Sequence, residues 1–266
     1  MEVLNRSDVS IAPSIMARAA LAHDARPLPD VRAVGTPPQR WRESLALIER
    51  YLPFSRRTVR AGDAIQRVGD PFNCLHILNL GTVKTVNLAA DGREQIVSLN
   101  FKGDWVGLDC MASPRWVCDV IAMDTSEVWS IDYATLLQSV PRVPALLQAV
   151  HGAMSCQLSR DREWRLAQGT LSADARVADF LRSWAASLAE RDLRTDQITL
   201  RMTRAEIGNY LGMTIETVSR AFSRLARSGL ISFEDKGRRN IAIPRVESLL
   251  EFVQRTVRTP SPALLQ

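Results

Sequence analysis

The stretch Thr203–Gly229, TRAEIGNYLGMTIETVSRAFSRLARSG, contains the signals of two short helices joined by a tight turn. Its opening threonine, followed three residues later by Glu206, matches a capping box, so a helix is predicted over Arg204–Leu211. Gly212 can end such a helix, because glycine adopts a positive φ at little energetic cost. Gly208 lies on the inner side of the helix, where any side chain would keep a crossing helix away. The stretch therefore predicts a closely packed helical pair.

The second predicted helix is amphipathic. Thr214 caps it, and an apolar stripe is directed inward, consisting of Ile215, Val218, Phe222 and Leu225. The outward face carries Glu216, Thr217, Ser219, Arg220, Ser223, Arg224 and Arg227. Hydrogen-bonding groups near a helix N-terminus, with arginines behind them, suit the major groove of DNA. Helical pairs with a glycine turn also occur in small helical domains that have no DNA role, which is the alternative interpretation.

Two neighbouring features favour the DNA interpretation. Short β-rich runs at Leu230–Phe233 and Asn240–Ile243 flank a charged glycine turn and predict a β-hairpin wing. From Arg201 to Arg239, eight Lys and Arg stand against four Asp and Glu, a net +4 of the whole chain's +5. A basic surface concentrated on one unit is what phosphate binding requires. The candidate contacts to the DNA backbone are Thr203, Thr214, Thr217, Arg224, Lys236 and Arg238.

Length and composition indicate a two-domain protein of the soluble type. The chain has 266 residues, of which 46% are hydrophobic and 24% charged. No apolar run approaches the roughly 18 residues of a membrane span, and the N-terminus lacks the pattern of a signal peptide. We therefore expect a cytoplasmic protein without a membrane partner. The cysteines form no CxxC pair, so we expect buried thiols and no metal site at Cys74, Cys110, Cys118 and Cys156. A redox role for some of them, such as pairing of Cys110 with Cys118 across a hairpin, stays open.

Composition and hydrophobic periodicity divide the chain into five segments. Residues 1–39 contain five prolines and no sustained period, which indicates a flexible tail. A helix and then short β-rich runs separated by glycines predict a compact all-β sensor domain over 40–142. A long helix follows over 143–171, then the DNA-reading domain over 172–250 and a C-terminal tail over 251–266. The predicted fold class is α+β: an N-terminal antiparallel β-roll, a long dimerisation helix and a C-terminal winged helix-turn-helix.

The long helix carries a seam with a repeat near 3.5 residues, which tends to pack on a copy of itself. The candidate dimer contacts on this seam are Leu147, Met154, Leu158 and Asp161. Two copies of Asp161 would face and repel each other in a parallel dimer, which suggests a switch unless Arg160 or Arg162 pairs with the carboxylate. The alternative is a helix that buries one face against its own chain.

This order of elements resembles the Crp/Fnr superfamily of transcription regulators over about Leu45 to Phe252. The likeness is strongest in LRMTRAEIGNYLGMTIETVSR, beginning at Leu200, which is similar to the branch of the fumarate–nitrate-reductase regulator. Ile215 stands where the catabolite-activator branch has an arginine. The resemblance implies a homodimer that reads a TTGAT-N4-ATCAA-like palindrome in double-stranded DNA. It implies base contacts by Glu216, Ser219 and Arg220, and arginine binding to G and glutamate accepting from C fit this assignment.

The resemblance also implies an activator that contacts RNA polymerase. The surface for this contact would be the turn that contains Asp91, Gly92 and Arg93. The alternative interpretation of the same turn is a plain solvated hairpin.

The predicted sensor domain differs from both the oxygen-sensing and the cyclic-nucleotide branch at the residues that bind their ligands. Residues 1–73 contain no cysteine, and Trp129 stands where the oxygen-sensing branch has a cysteine in the roll, so no [4Fe–4S] cluster is expected. The cyclic-nucleotide branch needs an Arg-Ser or Arg-Thr pair and a glutamate, where this chain has Trp116, Val117 and Leu108. A buried phosphate without that arginine would lack charge compensation, so cAMP is not expected.

Other classes of function remain as alternatives. A haem, with His76 or His151 as the candidate ligand, or an unknown small effector would make the chain a gas- or redox-sensing regulator of the same fold. A cupin-like metalloenzyme would need several histidines and carboxylates on one metal, and the roll supplies one histidine and no nucleophile pattern. A ligand-binding subunit without a DNA role conflicts with the basic second helix. We therefore predict a regulator that is not an enzyme and has no assigned cofactor.

Overall fold

The computed structural model describes residues 40–89, 91–235 and 237–258. The predicted tail over 1–39, the wing residue Lys236 and the last residues of the predicted C-terminal tail lie outside the described residues. Within the described ranges the chain forms a β-roll, a long helix and a winged helix-turn-helix, in that order. The predicted α+β fold class is therefore confirmed.

The β-roll consists of two antiparallel sheets packed face to face. The first sheet has the order β1-β8-β3-β6 and the second the order β2-β7-β4-β5. The strands are β1 Ser55–Val59, β2 Ala64–Gln66, β3 Cys74–Leu80, β4 Val83–Leu88, β5 Glu94–Asn100, β6 Trp105–Val106, β7 Asp119–Ala122 and β8 Ser126–Asp132. Alternating side chains meet between the sheets, where Leu78, Val83, Trp116, Val120 and Val128 are buried. The predicted all-β unit is thus a sandwich whose β5 forms an outer edge.

Three helices lie against the roll. They are α1 Arg40–Tyr51, α2 Tyr133–Ser139 and α3 Pro144–Thr170. Pro144 is the first residue of α3, where its missing N–H costs nothing because that group has no partner in the helix. Leu146 and Val150, in the first turns of α3, are buried against Ile48 of α1 and the roll. The N-terminal half of α3 is thus fixed to its own roll.

The C-terminal domain is built from four helices and a small sheet. The helices are α4 Ala173–Ala189, α5 Arg204–Leu211, α6 Ile215–Arg227 and α7 Val246–Arg258. The sheet has the order β10-β11-β9, with β9 Gln197–Thr199, β10 Ser232–Phe233 and β11 Asn240–Ala242. Leu181, Ile207, Phe222 and Leu249 are buried in one shared core. The strands β10 and β11 form the hairpin wing behind α6, as the sequence predicts.

Helix α5 docks on the edge of the roll. The Asn209 side chain accepts a hydrogen bond from the Ile96 amide at 2.6 Å and donates one to the Glu94 carbonyl at 2.6 Å. The amide group of Asn209 thereby occupies the edge of β5 as a neighbouring strand would, which protects an otherwise open ladder. Lys84 of β4 forms an ion pair with Glu206 of α5 beside it. The helix-turn-helix domain and the roll thus share a specific joint.

None of the helices in the described ranges is long and apolar enough to cross a membrane.

Candidate nucleic-acid interface

The turn between α5 and α6 is fixed by side-chain caps and by two glycines. The Thr203 hydroxyl accepts from the Glu206 amide at 3.1 Å, and the Glu206 carboxylate accepts from the Thr203 amide at 2.8 Å. This is the predicted capping box. A Cβ at Gly208 would lie 2.6 Å from the Met213 carbonyl oxygen, so the turn can cross α5 only at a glycine. Gly212 ends α5 at φ 65°, in the left-handed region.

Helix α6 presents a polar face at its N-terminal half. Thr214 caps the helix by accepting from the Thr217 amide at 3.2 Å. Glu216 and Arg220 are exposed and Ser219 is half-buried, at positions i, i+4 and i+3 of one face. The pKa of Glu216 lies below its ordinary value because its carboxylate accepts from its own amide and from the Thr214 hydroxyl, and because Arg220 is near. The three predicted base-contacting residues therefore share one exposed surface that carries both charges.

The inner stripe of α6 differs from the prediction at one position. Val218, Phe222 and Leu225 are buried, but Ile215 is 46% exposed, so its predicted inward position is wrong. Ile215 is the first residue of α6, at the end of the helix that extends beyond the core. It lies beside Glu216 on the outer surface.

Arg204 holds the wing against α6, a role that the sequence does not reveal. Its guanidinium carbon lies 3.5 Å from the centroid of the Phe222 ring and 5.9 Å from that of Phe233. It also donates to the Arg238 carbonyl at 3.0 Å. Burial and the charge of Arg238 lower the pKa of Arg204 to about 10. Arg238 itself is exposed at φ 54°, at the tip of the wing.

Four of the predicted backbone contacts, Thr203, Thr214, Thr217 and Arg224, already have partners within the chain. The Thr203 hydroxyl donates to Glu206 at 2.9 Å, and the Thr214 hydroxyl contacts that of Thr217 at 3.1 Å. Arg224 forms two hydrogen bonds to the Asp174 carboxylate of α4, at 2.6 and 2.5 Å. Thr203 and Thr214 thus shape the helix starts, and Arg224 forms an ion pair with α4.

The predicted dimer seam lies on α3 with mixed exposure. Leu147 is 39% and Leu158 53% exposed, and Leu166 near the end of the helix is 63% exposed. Met154 packs partly against the core beneath α1. Asp161 is half-buried and lines a cavity in its own roll. Two leucines of the seam are therefore open to a partner, whereas Asp161 also faces its own chain.

The β4–β5 turn projects from the roll beside α5. The Arg93 Nε atom donates to the Asp91 carboxylate at 2.7 Å, and Gly92 adopts φ 81°. Both charged side chains are exposed. The next residues, Glu94 and Gln95, contact Asn209. This turn therefore presents a charged tip next to the helical pair.

A cavity of about 300 Å³ lies between the second sheet and α3. Its walls include Thr85, Ser98, Asn100, Trp105, Asp109, Cys118, Asp161, Trp164 and Arg165. The indole N–H groups of Trp105 and Trp164 are buried without a hydrogen-bond partner in the described part of the chain. Burial raises the pKa of Asp161, Arg165 and Arg160 oppose that shift, and Asp109 adds to it. The cavity is therefore polar, with carboxylates on two of its walls.

The residues at the expected cyclic-nucleotide positions do not form a phosphate site. Trp116 and Leu108 are buried in the roll, and Val117 is 46% exposed. Arg115 donates to the Gly69 carbonyl at 2.7 Å and supports a loop. Among the described residues that line the cavity, Arg165 is the one cation.

The two candidate haem ligands do not lie at the cavity. His76 is 2% exposed, stacks on Trp116 with ring centroids 5.3 Å apart, and shares a hydrogen bond of 2.9 Å with Ser130. Burial and the charge of Arg57 lower its pKa to about 4. His151 is exposed on α3. Neither histidine lines the cavity, so neither is placed to bind a haem there.

Two cysteines and a carboxylate meet at one wall of the cavity. Cys110 ends a 3₁₀ turn over Leu108–Cys110, and Cys118 precedes β7. Both thiols are buried. A hydrogen bond between them lowers the pKa of Cys110 and raises that of Cys118. Asp109 lies beside both sulfurs.

Comparison with known proteins agrees with this architecture. Residues 175–252 match the model of the Crp-like helix-turn-helix domain, and residues 56–141 match the cyclic nucleotide-binding domain. The transcriptional activator protein anr of Pseudomonas aeruginosa is 34% identical over 68% of this chain and 74% of its own length. The fumarate and nitrate reduction regulatory protein of Salmonella typhimurium is 32% identical over 71% of this chain and 74% of its own.

A solved structure has the same arrangement. FixK2 from Bradyrhizobium japonicum superposes with a TM-score of 0.66 at 26% identity, covering 75% of this chain and 97% of that one. The curated relatives are named as regulators of transcription and not as enzymes. With its winged helix-turn-helix behind a cyclic-nucleotide-binding-like roll, this chain belongs to the Crp/Fnr family of DNA-binding transcription regulators.

Proposed function

We propose that this regulator reads a TTGAT-N4-ATCAA-like palindrome as a homodimer. The observation that carries the proposal is the exposed surface of Glu216, Ser219 and Arg220 at the start of α6. The start of a recognition helix is the part that reaches base edges in the major groove. A planar guanidinium can bind O6 and N7 of guanine together, and a carboxylate accepts from the cytosine amino group. The pKa of Glu216 is lowered by a hydrogen bond from its own amide, by the Thr214 hydroxyl and by the charge of Arg220, which favours the acceptor form of the carboxylate.

The test compares two arginines of the same helix. Arg220→Ala is expected to reduce the preference for the palindrome over scrambled DNA by about 10- to 100-fold, since a bidentate base contact is worth about 1–3 kcal/mol. Arg227→Ala removes the same charge from the far end of α6, where Arg227 is exposed. It is expected to weaken both DNAs alike. Equal loss of preference in both variants would contradict base reading by Arg220.

The same proposal places the dimer contact on α3. Leu147 and Leu158 are exposed apolar residues three helical turns apart, which suits a second copy of the helix. Leu158→Glu is expected to give monomers in analytical ultracentrifugation. Leu137→Glu is the matched control, because Leu137 is 50% exposed on α2. It is expected to leave the dimer unchanged, and a dimeric Leu158→Glu variant would exclude this seam.

We also propose that the β4–β5 turn contacts RNA polymerase. Its charged tip is exposed beside α5 of the helix-turn-helix. Arg93→Ala is expected to reduce transcription in a purified system while DNA affinity stays the same. A parallel loss of DNA affinity would instead assign Arg93 to DNA binding.

Activation by cAMP is not part of this proposal. The cavity places Asp109 and Asp161 near any bound phosphate, with Arg165 as the cation of its described lining. The two carboxylates would repel a buried anion more strongly than the one arginine would attract it. Calorimetric titration with cAMP is expected to show no saturable binding. The indole donors of Trp105 and Trp164 instead suit an uncharged effector with acceptor atoms.

A further inference from the structure

We propose that Asp109, Cys110 and Cys118 form a binding site for one thiophilic divalent cation, such as Zn²⁺, in the wall of the roll cavity. The sequence leaves a pairing of Cys110 with Cys118 across a hairpin open but predicts no metal site, because seven residues separate the two cysteines and no CxxC pair is present. The fold brings them together by placing the 3₁₀ turn over Leu108–Cys110 against the chain just before β7.

The spacing of the donor atoms fits a tetrahedral metal. One oxygen of Asp109 lies 3.7 Å from the Cys110 sulfur, and the other lies 3.9 Å from the Cys118 sulfur. One ligand atom from each residue can be chosen so that all three lie within 4.8 Å of one another. Zinc bonds of about 2.3 Å to sulfur and 2.0–2.2 Å to oxygen require ligand atoms about 3.5–3.8 Å apart. The three side chains therefore need only small movements to close on a metal.

The chemistry of the donors selects the kind of cation. Two thiolates favour Zn²⁺ and other thiophilic metals over Mg²⁺ or Ca²⁺, which prefer oxygen. Binding releases the two thiol protons to solvent and forms two metal–sulfur bonds, without oxidation of either partner. Three ligand charges against a divalent cation leave one negative charge, and Arg165 lines the same cavity.

The position of the site allows a metal to enter and leaves one coordination position open. Asp109 is exposed and lines the cavity together with the buried Cys118, whereas Cys110 is buried behind them. A metal held by the three would therefore face the cavity with its fourth position. Three protein ligands and one open position are typical of zinc sites that bind a further molecule. Asp161 of α3 lines the same cavity, so this position lies between the roll and the long helix.

The experiment measures metal binding by the full-length, fully reduced protein under anaerobic conditions. Zn²⁺ is titrated in competition with a chromophoric chelator, and Co²⁺ serves as the optical probe. We expect one Zn²⁺ per chain and a cobalt spectrum with thiolate charge-transfer bands and the intense visible bands of tetrahedral coordination. Cys118→Ser and Cys110→Ser are expected to weaken binding at least about 100-fold, and exposed Asp109→Asn at least about tenfold.

Cys74→Ser is the matched control. Its thiol is half-buried on β3, with Gln66 as a hydrogen-bond partner, and it is not one of the three cluster residues. It is expected to bind Zn²⁺ like the unaltered protein. Equal stoichiometry and affinity in Cys118→Ser, or a cobalt spectrum without thiolate bands, would overturn the site. Because Asp109 is at the surface, an unchanged affinity of a folded Asp109→Asn variant would remove the carboxylate from the proposal. These readouts do not involve DNA and are independent of the proposed palindrome.

Discussion

The helix-turn-helix and the roll cavity are assembled in different ways. The caps and glycines that shape the helical pair lie within Thr203–Gly229 and act on near neighbours in the chain. The cavity wall combines Thr85, Asp109 and Trp164, from a strand, a 3₁₀ turn and a long helix. A helix-turn-helix can therefore be recognised from a short stretch of sequence, whereas a cavity depends on how distant segments meet.

The largest loss of stability is expected where the two helices of the pair approach most closely. Gly208→Ala places a Cβ 2.6 Å from the Met213 carbonyl oxygen, a backbone atom that cannot move without shifting the turn. We expect it to destabilise the protein by about 3 kcal/mol, measured by urea denaturation. Palindrome binding should fall with it.

Gly169→Ala separates this clash from the general effect of a helical glycine. A Cβ at Gly169, in the last turn of α3, meets nothing within 4 Å. That variant is expected to be neutral or stabilised by up to about 1 kcal/mol. If both glycine variants behave alike, the close approach at Gly208 is not the reason for its glycine.

The roll should respond to pH through His76. Its folded-state pKa of about 4 lies below the ordinary value of 6.5, so the unfolded chain takes up a proton first as the pH falls. The stabilisation from neutral His76 is complete above about pH 6.5 and is lost progressively toward pH 4. We expect this residue to account for about 2 kcal/mol of lost stability between pH 7 and pH 5.

Urea denaturation of His76→Phe measures this contribution, because a phenylalanine can keep the stacking on Trp116 but cannot take up a proton. The variant should lose less stability than the unaltered protein over the same pH range. His151→Gln, at an exposed site on α3, should keep the full loss. An unchanged pH dependence in His76→Phe would assign the acid sensitivity to other groups.

Local signals account for most of what could be predicted from the sequence. The capping box at Thr203, the glycine at 212 and the wing strands lie where the patterns place them, because caps and turns depend on residues three or four positions apart. Ile215 is the exception, because it lies on the outer surface of α6. Periodicity assigned it to the inner stripe, but a helix end can extend beyond the core that its later turns cover.

Contacts between distant segments could not be predicted. The Arg204 guanidinium over Phe222, the ion pair of Arg224 with Asp174 and the Asn209 amide on β5 join segments that no periodicity relates. A hairpin leaves a pairing of Cys110 with Cys118 open, whereas the position of Asp109 beside both sulfurs depends on how the 3₁₀ turn lies against the chain before β7. The candidate base-contacting residues, in contrast, are implied by a resemblance over one continuous stretch.

A smaller loss of stability is expected from breaking the contact between α5 and the β-roll. Asn209→Ala removes both side-chain hydrogen bonds to β5, which should cost about 1–2 kcal/mol in total. Hydrogen–deuterium exchange of the Ile96 amide should become faster, since its acceptor is lost. Asn87→Ala, an exposed amide on β4, is the control and should leave that exchange rate unchanged. Unaltered exchange in Asn209→Ala would mean that other contacts hold α5 on the roll.

The smallest effect concerns the outer surface of the reading domain. Asp174→Asn breaks the partly exposed ion pair with Arg224, which should change stability by at most about 1 kcal/mol. Arg224 should then be free to contact a phosphate, so the affinity for scrambled DNA should rise a few-fold. The slope of the logarithm of this affinity against the logarithm of salt concentration should become steeper by up to about one unit. Asp179→Asn is matched in charge and helix, since Asp179 pairs with Arg182 on α4. If both variants raise affinity equally, the gain comes from net charge alone, and Arg224 already binds phosphate while paired.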